Sequence, residues 1–217
     1  RFCEHLVNLS HSRFNRRARM LLPLIYLIRH GLNEEVDLSG DILIIDSFPV
    51  PVCQPIRNRR AKIFRGYADI DYKATKKIYY YGFKVHAIVS DDGYLLDYIV
   101  TKASVHDAKE TVELITNAHP DNRYLLGDEG YLGKDLHQRL EQMGYTLWTP
   151  YRKNMKNAPK HNKHYLMALR RTIESDFSLL SYYNAENNRA RSLAGFQERL
   201  EVAILAYNMA YCLERFN

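Results

Sequence analysis

Asp46 and Asp128 each close a short aliphatic run, DILIID at 41–46 and NRYLLGD at 122–128. Such runs suit strands buried on both faces with an acid at the end. In open α/β sheets, chemistry sits outside the carboxyl ends of strands, so both acids are placed to project into a crevice. Either one alone reads as an ordinary aspartate capping the next element; the pair, joined by a third acid, reads as a site. Glu174 lies in RRTIESDFSLL at 170–180, where Leu166, Leu169, Ile173, Phe177 and Leu180 set out a helical core face. Arg170 precedes Glu174 by one turn, which puts guanidinium and carboxylate side by side. Spacing leaves two readings open: a surface ion pair worth about 0.3–0.5 kcal/mol, or a third metal ligand with Arg170 on a DNA phosphate. Glu129 and Asp176 are neighbouring acids of lower rank, because each points to another side of its element than its neighbour does.

Three carboxylates brought together repel one another, and at least one pKa rises. Mg²⁺ or Mn²⁺ relieves that repulsion, prefers oxygen ligands and leaves positions for water and phosphate. Two such ions about 3.5–4 Å apart activate an attacking water or 3′-hydroxyl and stabilise the leaving oxygen of an in-line phosphoryl transfer.

The elements that must position these acids follow from pattern. Ser12 caps a helix with Phe14, Ala18, Leu21, Ile25 and Ile28 on one face, ending at Gly31. Arg13, Arg16, Arg17 and Arg19 crowd its first turns against the macrodipole, which suits a partner such as DNA phosphate as well as it suits a solvated linker face. From 49 to 77, three prolines and eight basic residues against two acids leave no sustained periodicity, and the stretch reads as a long basic functional loop. Residues 78–90 alternate, with Tyr79, Tyr81, Phe83, Val85, Ala87 and Val89 on one face and Lys84 and His86 on the other. The turn SDDG at 90–93 leads into YLLDYIVTK, making a hairpin. Ser104 or Asp107 caps a helix to about Ala118, another helix spans about Lys134 to Met143 and stops at Gly144, and a strand lies in 145–150. A connector at 151–165 carries Arg152, Lys153, Lys156, Lys160 and Lys163 and no acid. Helices around Leu166–Ser181 and Gly195–Glu214 finish the chain, the last with Leu200, Ile204, Tyr207 and Tyr211 in its stripe. The order implies a mixed α/β sheet with helices on its faces around one core.

With 217 residues and 46% hydrophobic content, the chain can bury that core. Its 31 Lys and Arg against 25 Asp and Glu give a net charge of +6, as expected of a protein that meets a polyanion. Cys3, Cys53 and Cys212 lack metal or redox spacing and point to a reducing, cytoplasmic setting. The apolar stretch Met20–Ile28 is interrupted by Pro23 and far short of the ~20 residues of a bilayer crossing, so neither signal nor membrane anchor is expected. The first residue is Arg, which suggests a start inside a longer protein. His161 and His164 are too isolated for a zinc site. His106 is expected to pack at a helix N-terminus beside Asp107, and His86 to face DNA or solvent.

Several motifs in order, IDSFPV at 45–50, YYGFKVHAIVSDDGYLLDYIVTKASVHD at 80–107, LLGDEGY at 125–131, RRTIESDFSLL at 170–180 and GFQERLEVAILAYNMA at 195–210, resemble bacterial insertion-sequence transposases with a DDE catalytic domain. The likeness implies an RNase H-like fold in which Asp46, Asp128 and Glu174 are catalytic metal ligands. It further implies Mg²⁺ or Mn²⁺, two per site, DNA ends and target DNA as partners, and work as a homodimer or higher oligomer, with nucleoid DNA in a bacterial cytoplasm as the setting. Residues 1–40 would then be a helical linker or the end of a preceding DNA-recognition domain, and 41–217 the catalytic domain with its basic loop at 49–77. Arg57, Arg59, Arg60, Lys62, Lys84, Arg152, Lys153, Lys156 and Arg170 are the expected DNA contacts. Relatives carry a Tyr, Arg, Glu, Lys signature on the catalytic helix. Arg170 and Glu174 keep it, whereas Met167 and Ser181 replace its Tyr and Lys. A nuclease that cuts without joining, or a silent DNA-binding module, are the alternative functions.

Overall fold

The aliphatic run Leu43–Ile45 is continuous because helices cover both faces of the strand it forms. In the computed structural model, which describes residues 10–38, 42–74, 77–150, 175 and 177–215, that strand is β1 (Leu43–Pro51). Around it stand β2 (Asp69–Lys73), β3 (Ile78–Ser90), β4 (Leu95–Lys102), β5 (Tyr124–Gly127) and β6 (Thr146–Trp148). The helices are α1 (His11–Glu35), α2 (Asp107–Ala118), α3 (Lys134–Gln142), α4 over 177–182, and α5 (Leu193–Arg215).

β1 pairs antiparallel with β3 and parallel with β5, and β5 pairs parallel with β6. On the other side of β3, β4 pairs with Phe83–Val89 and β2 with Ile78–Gly82, so those two strands share one edge end to end. Gly82 is where the backbones close up: a Cβ there would lie 2.1 Å from the carbonyl oxygen of Val50. Alternation divides the core in two. Leu43 and Ile45 pack with Leu114 and Ile115 of α2 and Leu136 and Leu140 of α3. Ile44, Phe48 and Val50 pack with Phe177 and Leu180 of α4 and with Phe196, Leu200 and Ile204 of α5. This is the mixed sheet with helices on both faces that the sequence predicts, including the hairpin at 90–93, the alternation of β3 and the end of α3 before Gly144.

Three elements differ from expectation. β1 does not end at Asp46 but runs five residues further. The stretch 49–77 holds the end of β1, a 3-10 turn at Pro55–Arg60 and the edge strand β2, so it is ordered through much of its length. Asn58 fixes the turn by donating to the Tyr79 carbonyl at 2.8 Å. Finally, α1 starts before Ser12 and continues through Gly31, ending at Glu35. Its inward line is Ala18, Leu22, Ile25 and Arg29, while Phe14, Leu21 and Ile28 are exposed. The reason is Arg29, which is fully buried and donates to Glu201 at 2.6 Å, Asp97 at 3.1 Å and the Leu96 carbonyl at 3.1 Å. That ionic anchor turns the Arg29 face of α1 onto α5 and β4. Among the described residues no helix is long and apolar enough to cross a membrane.

Candidate active site

Asp46 sits where β1 loses one neighbour. Its parallel partner β5 ends at Gly127, opposite Ile45, so the next residues on the two strands are Asp46 and Asp128. The two half-buried acids therefore leave adjacent parallel strands at one level, at the ~4.8 Å separation of neighbouring strands. Both line a cleft of about 590 Å³. Each carboxylate is held by a local backbone amide: Ser47 donates to Asp46 Oδ1 at 2.7 Å, and Gly130 donates to Asp128 Oδ1 at 2.6 Å. The second bond makes Asp128 the cap of the 3-10 turn Glu129–Tyr131. Glu129 is exposed and stands outside the cleft lining.

Asp46 shares its strand parity with Ile44 and Phe48, and so faces the α4 side of the sheet. There the Phe48 and Phe177 rings meet at 5.0 Å, and Phe177, Ser178 and Ser181 line the same cleft as the two aspartates. Ser47 points the opposite way, and its hydroxyl donates to Asp107 Oδ1 at 2.8 Å. Asp107 is a cleft residue that pattern reading takes only for a helix cap. The cap is His106, whose Nδ1 accepts from the Ala108 amide at 3.3 Å, leaving the Asp107 side chain to reach β1.

Lys84 lies in the cleft wall, but its ammonium is engaged: it donates to the Val105 carbonyl at 3.0 Å and pairs with Asp71 at 3.3 Å and Asp107 at 3.4 Å. His86, expected at DNA or solvent, is buried beneath α2, with Nε2 2.8 Å from Thr101 Oγ1. Burial pushes its pKa down to about 4, outweighing Asp107, so its 3.7 Å contact with Asp107 is not an ion pair at neutral pH. Tyr80 OH, His86 Nδ1 and Tyr131 OH are buried and make no hydrogen bond among the described residues. Burial first, then the charges of Asp46, Asp107 and Asp128, raises the Tyr131 pKa well above its ordinary value. Tyr80 is raised likewise by burial and then by Asp71, Asp107 and Asp69. The negative potential at the base of the cleft thus comes from several aspartates at once.

An oxygen-only donor set under negative potential fits a hard divalent cation. Among the described residues, no three His, Cys, Asp or Glu side chains converge to hold a metal ion. Asp46 and Asp128 supply two acids, and Glu174, the expected third, lies outside the described residues.

Of the expected DNA contacts, Arg57, Arg59, Arg60 and Lys62 are all exposed. Arg59 and Arg60 line a second groove with Ile56 and Tyr79. That groove adjoins the acid cleft through the Tyr72–Tyr79 ring pair, 5.0 Å between centroids, because Tyr72 lines the cleft. Arg152, Lys153, Lys156 and Arg170 lie outside the described residues. Sequence reading also passes over Asp71 and Glu186, which line the cleft, Glu186 with Lys73 at 3.8 Å.

A central strand with antiparallel neighbours on one side and parallel neighbours on the other, with acids just past the paired segments of the two parallel strands β1 and β5, is the mixed arrangement that an RNase H-like fold calls for. The sequence matches the Transposase DDE domain family over residues 37–209, and the chain belongs to that family. No curated protein matches it. Among solved structures, the chain is similar to the catalytic domain of Mos1 mariner transposase at 11% identity, covering 94% of this chain and 96% of that one, with a TM-score of 0.34.

Proposed function

We propose that the chain cleaves DNA at transposon ends and joins the freed 3′-hydroxyl to target DNA, with Asp46, Asp128 and Glu174 as the metal ligands. The observation that carries this reading is the level placement of Asp46 and Asp128 on adjacent parallel strands at one cleft. Glu174 is favoured as the third ligand by the sequence pattern alone; of the described residues that follow it, Ser178 and Ser181 of α4 line that cleft. Asp46 faces the same side. Bound Mg²⁺ or Mn²⁺, two per site, would supply activation of the attacking hydroxyl and neutralise the leaving oxygen. The protein's own part is to orient: the Ser47 and Gly130 amides fix the two carboxylates, and the exposed Arg57, Arg59, Arg60 and Lys62 hold the DNA backbone beside the cleft. Arg152, Lys153, Lys156 and Arg170 are further candidates for backbone contact, whereas Lys84, committed to Asp71, Asp107 and the Val105 carbonyl, serves the cleft wall and not the DNA. The chain would act as a homodimer or higher oligomer on two DNA ends, in a bacterial cytoplasm.

Labelled transposon-end DNA, a plasmid target and Mg²⁺ or Mn²⁺ incubated with the protein should yield joined products. Asp46→Ala, Asp128→Ala and Glu174→Ala should each abolish cleavage while leaving non-specific DNA binding intact or slightly tighter, since a negative charge near phosphate is removed. Cleavage that survives the aspartate substitutions refutes the metal assignment. Cleavage without joined products identifies a nuclease instead.

A further inference from the structure

We propose that Asp107 is a positioning residue that sets Asp46 and Asp128 relative to one another for cation binding, an inference that rests on the metal assignment above. An aspartate in the first turn of a helix ordinarily favours the N-terminal dipole from a solvated position. Asp107 instead turns inward, bonds the turn that holds Asp46 and lies beside the one that holds Asp128. Its Oδ1 accepts the Ser47 hydroxyl at 2.8 Å, and it is the Ser47 amide that donates to Asp46. Its Oδ2 faces Gly130, whose amide holds Asp128: a Cβ placed on Gly130 would lie 3.5 Å from Asp107 Oδ2 and 2.8 Å from Asp128 Oδ1.

Asp107 is itself braced. Lys84, fixed by Asp71 and the Val105 carbonyl, pairs with the oxygen that Ser47 uses, and His86 stands 3.7 Å from it. With Oδ1 committed to Ser47 and Lys84, Asp107 acts through its neighbours. Hydrogen-bonded supports of this kind hold ligating carboxylates in place, and their loss costs about 10–100-fold in metal affinity.

The test is Mn²⁺ binding by the DNA-free chain, followed by electron paramagnetic resonance. Wild type should bind, and Asp46→Asn should abolish binding. Asp107→Ala and Ser47→Ala should each weaken binding by roughly tenfold or more. Asp107→Asn keeps an acceptor for Ser47 and Lys84, and should recover most of what the alanine loses. Full Mn²⁺ affinity in both Asp107→Ala and Ser47→Ala overturns the proposal, as does an asparagine variant no better than the alanine. Should Asp107→Ala fail to fold, Ser47→Ala decides alone, because it removes a single hydroxyl. A wild type that binds no Mn²⁺ refutes the metal assignment and this inference together, a pattern distinct from binding that depends on Asp46 but not on Asp107.

Discussion

Gly130 has room for its hydrogen and little else. A methyl there would stand 2.8 Å from Asp128 Oδ1, closer than carbon and oxygen tolerate, so the carboxylate would have to leave the amide that holds it. The backbone at Gly130 is not in the left-handed region, so alanine brings no conformational strain of its own. Gly130→Ala should therefore cost about 0.5–2 kcal/mol, the scale of a lost N-terminal cap, while Mn²⁺ affinity falls by roughly tenfold. Calorimetric titration checks it, and wild-type affinity would mean that Asp128 has another position from which to bind. His86 gives a second outcome at this scale. The unfolded chain takes up its proton near pH 6.5 and the folded chain only near 4, so the unfolded state binds more protons in between. The stability that a neutral His86 contributes is complete above about pH 6.5 and is lost as pH falls toward 4. Between those values the melting temperature of wild type should drop more steeply than that of His86→Gln, and parallel slopes would count against a buried, neutral histidine. The aliphatic runs before Asp46 and Asp128 make the two buried strands legible in the sequence, but only β5 stops at its acid; β1 runs on past Asp46, which reaches the cleft because its neighbour has ended. The alternation of β3 likewise puts Lys84 and His86 on one face, but only the packing of α2 decides that this face is covered. Asp107 is illegible for the same reason: its role depends on where the start of α2 lands.

At the scale of elements, the prolines of β1 explain why its full length is hidden. Val52 donates to the Tyr81 carbonyl at 3.0 Å, so even-numbered residues bond to β3, and Pro49 and Pro51 face the other edge. That edge is open because β5 has ended at Gly127, and a missing N–H there costs no ladder bond. The same open edge leaves Asp46 accessible. Proline, read as a strand breaker, here marks the place where the sheet yields to the site. For α1 the pattern gives the helix but not its rotation, since a count of apolar residues cannot anticipate a buried Arg29. Glu201, which also accepts from the Tyr98 hydroxyl, shares Arg29 with Asp97. Removing the guanidinium would strand two buried carboxylates, so Arg29→Ala should destabilise the chain by about 3–5 kcal/mol. Urea denaturation measures it. A loss below about 1 kcal/mol would assign α1 the status of an appended linker, since that is the scale of an exposed pair.

Over the whole molecule, the net charge of +6 is modest, so its distribution must do what its total cannot. Acids gather at the cleft, where Asp46, Asp71, Asp107, Asp128 and Glu186 are offset by Lys73 and Lys84, both in ion pairs. Exposed arginines stand on the 3-10 turn at Pro55–Arg60, which Asn58 ties to β3 beside the Tyr72–Tyr79 lip of the cleft. A duplex entering the cleft would meet repulsion from the bare acids and attraction from that turn. Binding should therefore tighten when divalent cation is added, and weaken steeply with monovalent salt as condensed counterions are released. Neutralising Arg57, Arg59 and Arg60 together should flatten the plot of log K against log salt by about 0.9 for each duplex phosphate that is no longer neutralised. Neutralising Lys84 should leave the slope nearly unchanged, because its ammonium already serves Asp71, Asp107 and the Val105 carbonyl. Fluorescence anisotropy with a short duplex across a salt series separates these cases. An unchanged slope in the triple arginine variant would put the turn on a solvated face and move the DNA track to the basic residues at 152–171. A slope that falls with Lys84 instead would mean that its ion pairs open when DNA arrives.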